Sequence, residues 1–145
     1  MLKKSVFLTL AVFAACPVLF AQAGKPLTNY SGACQVTVPA NWVVNGMFGA
    51  ANSPDNKVSV AVTSPTNNTS LARTEQTAPL MYPKDKVTLS TPTEFQMEGL
   101  SVMNGKPNVY RGIQLPGKVC LVEVIYESGT VDDARKIAAT LKSAK

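Results

Sequence analysis

The segment Cys34-Gln35-Val36-Thr37-Val38-Pro39-Ala40-Asn41-Trp42 is the first stretch of the chain that reads as part of a folded domain. Every second side chain from Cys34 to Val38 is apolar, which is the pattern of a strand with one buried face. Pro39 lacks a backbone donor and ends such a strand. Trp42, the single tryptophan of the chain, follows as a large apolar anchor. The segment therefore predicts an opening strand with a cysteine on its apolar face.

Residues 1–23 have the organisation of a secretory signal peptide. Lys3-Lys4 precede an apolar run over residues 5–20, and Ala21-Gln22-Ala23 places small residues at the cleavage spacing. Such a leader is cut off, so we expect a periplasmic or secreted protein with no membrane attachment. The rest of the chain is long enough for one domain: a turn-rich lead-in over residues 24–33 and a single α+β domain over residues 34–145.

Two alternatives for the N-terminus remain open. The leader is retained as a membrane helix in the first, although an uninterrupted span needs about 20 apolar residues. In the second, Phe13-Ala14-Ala15-Cys16 loosely resembles a bacterial lipobox, and the protein is a lipoprotein tethered through Cys16. Phe13 departs from the usual aliphatic residue of that motif, and the apolar run continues beyond the cysteine.

The charge of the chain narrows the classes of partner that it could bind. Loss of the leader lowers the formal net charge of +5 by two, and the remaining basic residues are scattered along the chain without a basic run. Nucleic-acid binding normally needs a basic stripe or cluster, so we do not expect it.

Cys34 and Cys120 are the cysteines left after cleavage, and export favours a disulfide between them. In the chain-entropy model such a bond stabilises by about 4–5 kcal/mol; two separately buried thiols are the alternative.

The first half of the domain shows a hairpin and a helix. Residues 46–63 read as two strands joined by the turn Ser53-Pro54-Asp55-Asn56. Residues 71–81 read as a helix that Thr69 or Ser70 can cap. At its end, Leu80, Met81 and Tyr82 present apolar side chains. We interpret these three residues either as an exposed contact surface or as packing across the sheet edge.

The second half is predicted as three strands and a final helix. Asn104-Gly105 and Pro116-Gly117 mark tight turns between the strands. Counting outward from two-residue turns places Glu98 opposite Arg111 and Arg111 opposite Val122. Glu98 and Arg111 are therefore predicted to form a structural cross-strand ion pair.

The final helix has the clearest start and the clearest buried face. Thr130 and Asp133 form a capping-box-like beginning. An apolar stripe comes next and should pack on the sheet; it consists of Val131, Ala134, Ile137, Ala138 and Leu141.

The absence of histidine excludes much of enzyme chemistry. The chain has 0 histidines, which removes Ser-His-Asp and Cys-His catalysis and the commonest metal ligand. Neither a phosphate-binding loop nor a dinucleotide fingerprint is present, so we expect no cofactor and no metal. A small carboxylate-based hydrolase is the remaining enzymatic alternative. Its candidate acids are Asp55, Asp85, Glu94, Glu98, Glu123, Glu127, Asp132 and Asp133.

The order of these elements resembles the PsbP-like superfamily, which includes Mog-type factors, over about residues 34–145. The residues that carry the resemblance are Val38-Pro39-x-x-Trp42, the Ser53-Pro54-Asp55 turn and Asn104-Gly105 between two late strands. The resemblance implies an α+β fold, an antiparallel sheet of about six strands flanked by two helices in an α-β-α sandwich. It also implies binding or assembly and no catalytic residue. We therefore expect an exported, non-enzymatic binding or accessory domain with an envelope protein as its partner.

Overall fold

The computed structural model of the protein describes residues 24–101, 104–127 and 129–145. The predicted signal peptide and the alternative of lipidation at Cys16 lie outside these residues. The described ranges form ten strands and two helices. In chain order these are β1 (Lys25–Thr28), β2 (Cys34–Val38), β3 (Val43–Asn45), β4 (Ala50–Asn52), β5 (Val58–Thr63), α1 (Leu71–Met81), β6 (Lys86–Ser90), β7 (Glu94–Leu100), β8 (Pro107–Leu115), β9 (Lys118–Tyr126), α2 (Val131–Ala139) and β10 (Lys142–Ser143).

The strands form a large sheet and a small one. Among the described residues the large sheet has seven strands in the order β3-β4-β5-β9-β8-β7-β6, and the small sheet has three in the order β1-β2-β10. All the pairings are antiparallel. The predicted α+β class and antiparallel sheet are confirmed. The lead-in over residues 24–33 contributes a strand, β1, that the turn-rich sequence did not predict.

One face of the large sheet carries the main core. Cys120, Val122 and Val124 of β9 point to this face, which is covered by the small sheet and by α2. The opening strand β2 has its predicted alternation, since Cys34 and Val38 are buried while the intervening polar side chains are half-buried. The small sheet therefore lies over the large one, with apolar side chains from both sheets in the layer between them.

The predicted disulfide is present. Cys34 in β2 and Cys120 in β9 are bonded, with their Cα atoms 5.6 Å apart, and neither residue is exposed to solvent. The bond joins the small sheet to the central strand of the large sheet. It thus crosses the main core rather than linking two surface loops.

Helix α2 begins as its sequence predicted. The backbone N–H of Asp133 donates to Thr130 Oγ1 at 3.3 Å, and the backbone N–H of Thr130 donates to Asp133 Oδ2 at 3.1 Å. This reciprocal pair is a capping box, which satisfies amide groups that have no partner within the helix. Ala134, Ala138 and the following Leu141 are buried in the main core.

Helix α1 packs on the opposite face of the large sheet with the predicted bounds. Leu71 and Ala78 are buried against Phe95 and Leu121 in a second apolar cluster. Gly112 of β8 permits this close contact, because a Cβ atom there would lie 2.9 Å from Leu71 Cδ1 and 3.0 Å from Leu121 Cδ2. A larger residue at this position would displace these two leucine side chains, so glycine favours the close packing of α1 on the sheet.

The predicted ion pair between Glu98 and Arg111 is wrong. Glu98 lies opposite Val109, and Arg111 lies opposite Gln96. The reason is the length of the β7–β8 loop: the backbone N–H of Ser101 donates to the Lys106 carbonyl at 2.7 Å, so the connection is longer than a two-residue turn. A shift of two residues keeps each side chain on its face but changes its partner across the strands.

The charged groups on this face find other partners. Arg111 Nη2 donates to Glu94 Oε1 at 2.6 Å, and Glu98 instead binds Arg135 of α2, also at 2.6 Å. Hydrogen bonding from Arg135 lowers the pKa of Glu98. Glu98 therefore ties α2 to β7, while Arg111 pairs within the sheet. The register across the second turn is as predicted, with Arg111 opposite Val122.

We expect reduction of the Cys34–Cys120 bond to lower the free energy of unfolding by about 4 kcal/mol. The reason is that the bonded residues are 86 positions apart, so the oxidised unfolded chain is strongly restricted. Urea denaturation followed by Trp42 fluorescence, with and without reductant, measures the difference. A Cys34→Ala/Cys120→Ala variant is the control and should not respond to reductant. An unchanged midpoint for the reduced wild-type protein would contradict this role.

Candidate functional site

A groove of about 340 Å³ lies between α1 and the neighbouring strands β5 and β9. It exists because α1 packs mainly on β7 and β8 and leaves Ala61 and Thr63 of β5 exposed. Its walls are largely apolar or hydroxyl-bearing side chains. Met81, Tyr82 and Tyr110 border it on the helix side and on the sheet, and Glu123 is the one residue with a formal charge among those lining it.

Glu123 sits in a small polar cluster at the edge of the groove. The Asn108 side-chain amide donates to Glu123 Oε1 at 3.4 Å, and the Tyr82 hydroxyl interacts with the same carboxyl group. The rings of Tyr82 and Tyr110 are in contact, with their centroids 5.2 Å apart. The end of α1, β8 and β9 thus each contribute one polar side chain or more to the same site.

Asp85 lies behind this cluster, in the connection from α1 to β6. Both of its carboxyl oxygens are buried without a hydrogen-bond partner, and Asn108 Oδ1 is in the same state. Gly99 allows Asp85 to approach β7, since a Cβ atom there would lie 2.6 Å from the Asp85 Cα atom. Oxygen acceptors therefore outnumber donors around Asn108.

Burial dominates the electrostatics of the cluster. It raises the pKa of Glu123, an effect that Tyr82 and Asn108 oppose and that the negative charge of Asp85 increases. Burial also raises the pKa of Asp85. The Asn108 side chain and the Leu100 backbone amide partly oppose this rise, although their contacts with Asp85 fall short of hydrogen-bond geometry. Burial and the Glu123 carboxylate raise the pKa of Tyr82 to about 12, and burial likewise raises the pKa of Tyr110. Each of these groups is biased towards its neutral form.

A second groove, of about 390 Å³, lies at the start of α2 beside Trp42 and Tyr126. Its carboxylate, Asp133, already serves the helix cap with Thr130. The groove beside α1 is the better candidate for ligand binding, because its carboxyl group is not used by a helix cap.

The three residues of the predicted contact surface, Leu80, Met81 and Tyr82, differ in their exposure. Leu80 and Met81 are exposed, whereas Tyr82 is half-buried and packs on Tyr110. The exposure of Leu80 and Met81 thus fits the interpretation as a contact surface, whereas Tyr82 fits the interpretation as packing. Their role in binding stays a prediction.

Four more exposed apolar side chains, which the sequence did not predict, lie in the β1–β2 turn, in β3 and in the turn that follows β3. Tyr30, Val43, Met47 and Phe48 are all largely exposed, from 66% for Val43 to 85% for Tyr30. We call these four residues the uncharged face, because residues 26–54 contain no Asp, Glu, Lys or Arg. The missing charge is visible in the sequence, but the exposure is not.

Local backbone contacts bring the aromatic members of the uncharged face together. Asn29 Oδ1 accepts the backbone N–H groups of Ala33 and Cys34, both at 2.9 Å, which shapes the turn that carries Tyr30. Gly49 has a φ of +60° and packs against Asn29, where a Cβ atom would lie 2.9 Å from the Asn29 Cα atom. Tyr30 and Phe48 consequently border the same shallow groove.

The described residues contain neither a membrane-spanning helix nor a metal-binding cluster of side chains. Over residues 24–101, 104–127 and 129–145, no helix is long and apolar enough to span a membrane. Nor do the described residues bring together three or more side chains of the His, Cys, Asp and Glu types in a way that could hold a metal ion.

Glu123→Gln should reduce the loss of stability that the protein undergoes as the pH rises towards neutrality. The pKa of Glu123 is raised above 4.5 in the folded state, so folding takes up protons between pH 4.5 and the folded-state value. Its contribution to stability is fully present below pH 4.5 and is lost as the pH rises through the folded-state pKa. Urea denaturation of wild type and variant between about pH 4 and pH 8 measures the difference.

Asp133→Asn is the control with the opposite sign. The Thr130 backbone and side chain lower the pKa of Asp133, so its contribution to stability is lost as the pH falls. This variant should therefore lose stability mainly at the higher pH. Equal pH profiles for Glu123→Gln and wild type would contradict the assignment of Glu123 as a group with a raised pKa.

Comparison with known proteins identifies the fold. The solution structure of cyanobacterial PsbP (CyanoP) from Synechocystis sp. PCC 6803 is similar to this chain, with a TM-score of 0.50 and 10% identity over 90% of this chain and 98% of that one. A crystal structure from Bacteroides thetaiotaomicron VPI-5482 has a TM-score of 0.50 and 14% identity over 86% of this chain, which spans 49% of that protein. No family model and no curated protein matches the sequence. At these identities the likeness shows the fold alone: the chain has a PsbP-like fold.

Proposed function

We propose that this chain is an exported, non-enzymatic accessory domain that binds an envelope protein through the uncharged face. The observation that carries the proposal is the joint exposure of Tyr30, Val43, Met47 and Phe48 on a stretch without charge. Large exposed apolar patches on soluble domains mark interaction sites. The cores of protein interfaces are also rich in Tyr, Phe and Met and poor in charged residues.

The composition of this face indicates the chemistry of the partner. The chain carries a formal net charge of +5, yet residues 26–54 contribute none of it. A charged group buried against such a surface would lose its hydration without gaining a partner, which is costly. The partner surface should therefore be apolar or neutral and polar, and the binding should depend little on salt.

Export is supported by the chemistry of the domain. A disulfide that crosses the main core, between Cys34 and Cys120, suits an oxidising compartment such as the periplasm. The signal-peptide pattern of residues 1–23 and the PsbP-like fold agree with that location. Cleavage after Ala21 or Ala23 and lipidation at Cys16 are alternatives for the same N-terminus, and the mass of the mature protein distinguishes them.

The arrangement of carboxyl groups favours binding over hydrolysis. A carboxylate-based glycosidase needs two acids that face each other across the substrate. Glu123 lines the groove beside α1, whereas Asp85 lies behind it and does not line it. We therefore propose no catalytic residue in this groove.

Substitution of the uncharged face should abolish capture of the envelope partner. Wild type and a Met47→Ser/Phe48→Ser variant serve as baits for cross-linking in native envelope, with the captured protein identified and quantified by mass spectrometry. Both residues are largely exposed, so the free energy of unfolding should change by less than about 0.5 kcal/mol per site. We expect recovery of one neutral-surfaced partner to fall at least about tenfold, a loss of ~1.4 kcal/mol of binding energy.

Leu80→Ser is the matched control, since Leu80 is 81% exposed but lies at the end of α1. It should leave capture unchanged. If Leu80→Ser abolishes capture and the double variant does not, the contact surface lies at Leu80 and Met81 instead. Equal recovery with every bait, or recovery of no specific protein, would overturn the proposal.

A further inference from the structure

The groove beside α1 holds a carboxyl group in otherwise uncharged surroundings. Glu123 lies opposite Tyr110 on one neighbouring strand and opposite Ala61 on the other. The remaining lining is uncharged, although the chain as a whole is basic. An anionic ligand would be repelled there, and a neutral ligand would bury the carboxylate without a counter-charge.

The polar cluster behind the groove has more acceptors than donors. Asn108 is fully buried, its amide donates to Glu123, and its carbonyl oxygen has no hydrogen-bond partner. The buried carboxyl oxygens of Asp85 are also without a partner. Buried polar atoms normally have partners, and exceptions call for an explanation. Neither Asp85 nor Asn108 lines the groove, so a ligand there does not bond to these acceptors. Its positive charge would instead offset the negative charge that Asp85 adds at Glu123.

The aromatic side chains suit an organic cation better than a metal ion. Tyr82 and Tyr110 both line the groove, and the faces of such rings attract ammonium groups. Calcium and magnesium instead require about six or more oxygen ligands, and Glu123 is the one carboxylate among the lining residues. The volume of about 340 Å³ is in the range of small-ligand pockets.

We propose that this groove binds a small molecule that carries one ammonium group on an apolar body. The ammonium group pairs with the Glu123 carboxylate against the rings of Tyr82 and Tyr110. The apolar body lies along Ala78, Met81 and Leu121. This site is separate from the uncharged face, so either proposal can fail without the other.

Two probes of similar shape test the proposal. Benzylammonium and neutral benzyl alcohol are titrated separately into the oxidised, exported protein labelled with ¹⁵N, and amide chemical shifts give the site and the Kd. We expect benzylammonium to shift the amides of Ala61, Leu121 and Glu123 and to bind at least about tenfold more tightly than benzyl alcohol. Equal affinity of the two probes, or shifts confined to other surfaces, would overturn the proposal.

Glu123→Gln removes the charge and keeps the shape of the side chain. The variant should bind both probes equally, whereas the control Glu127→Gln, which removes a carboxylate that pairs with Lys106 outside the groove, should keep the preference for benzylammonium. Retention of that preference by Glu123→Gln would overturn the proposal. Amide-shift dispersion verifies that each variant is folded.

A pH titration of the wild-type protein provides a test that needs no variant. Benzylammonium should bind more weakly as the pH falls and Glu123 takes up its proton, while the affinity for benzyl alcohol should stay constant. The groups that face Glu123 are Tyr82, Asp85, Asn108 and Tyr110. Among these Asp85 also titrates as an acid, so the profile is repeated with Asp85→Asn, which should retain the effect. A pH-independent preference would count against the proposal.

Discussion

The two-sided burial of β9 is the constraint on which the rest of this structure depends. Val119 and Leu121 point to one face of the large sheet, and Cys120, Val122 and Val124 point to the other. A strand that is apolar on both faces must be covered on both. The small sheet and α2 provide one cover, and α1 provides the other. The disulfide at Cys120 attaches the first of these covers covalently to the strand that it protects.

Elements with a strong local signal were predictable, whereas elements that depend on a neighbour were not. The capping box of Thr130 and Asp133 and the alternation of β2 are local patterns, and both are present. Strands β1 and β10 are short and exist because they pair with β2, which no local pattern reveals. The pair Asn104-Gly105 correctly predicted a turn but not its length. Because of that error Arg111 was predicted as the partner of Glu98, whereas the structure pairs Glu98 with Arg135.

For the candidate sites, too, the sequence reveals the composition of a segment but not where the fold places its side chains. Glu123 is one of several carboxylates in the sequence, and its distinction arises from a helix that covers only part of the sheet beside it. The lack of charge over residues 26–54 was visible from the start, because it is a property of composition. Whether those residues face the core or the solvent depends on the turns at Asn29 and Gly49, which bring Tyr30 and Phe48 to the surface.

The span of the disulfide also determines how the protein withstands proteolysis. Every segment from β3 to β8 lies between Cys34 and Cys120, and so does the polar loop over residues 64–70 that precedes α1. A single cut in that loop leaves two fragments that remain covalently joined through the core. Because β5 on one fragment still pairs with β9 on the other, we expect a nicked molecule to keep its central hydrogen bonds until the disulfide is reduced.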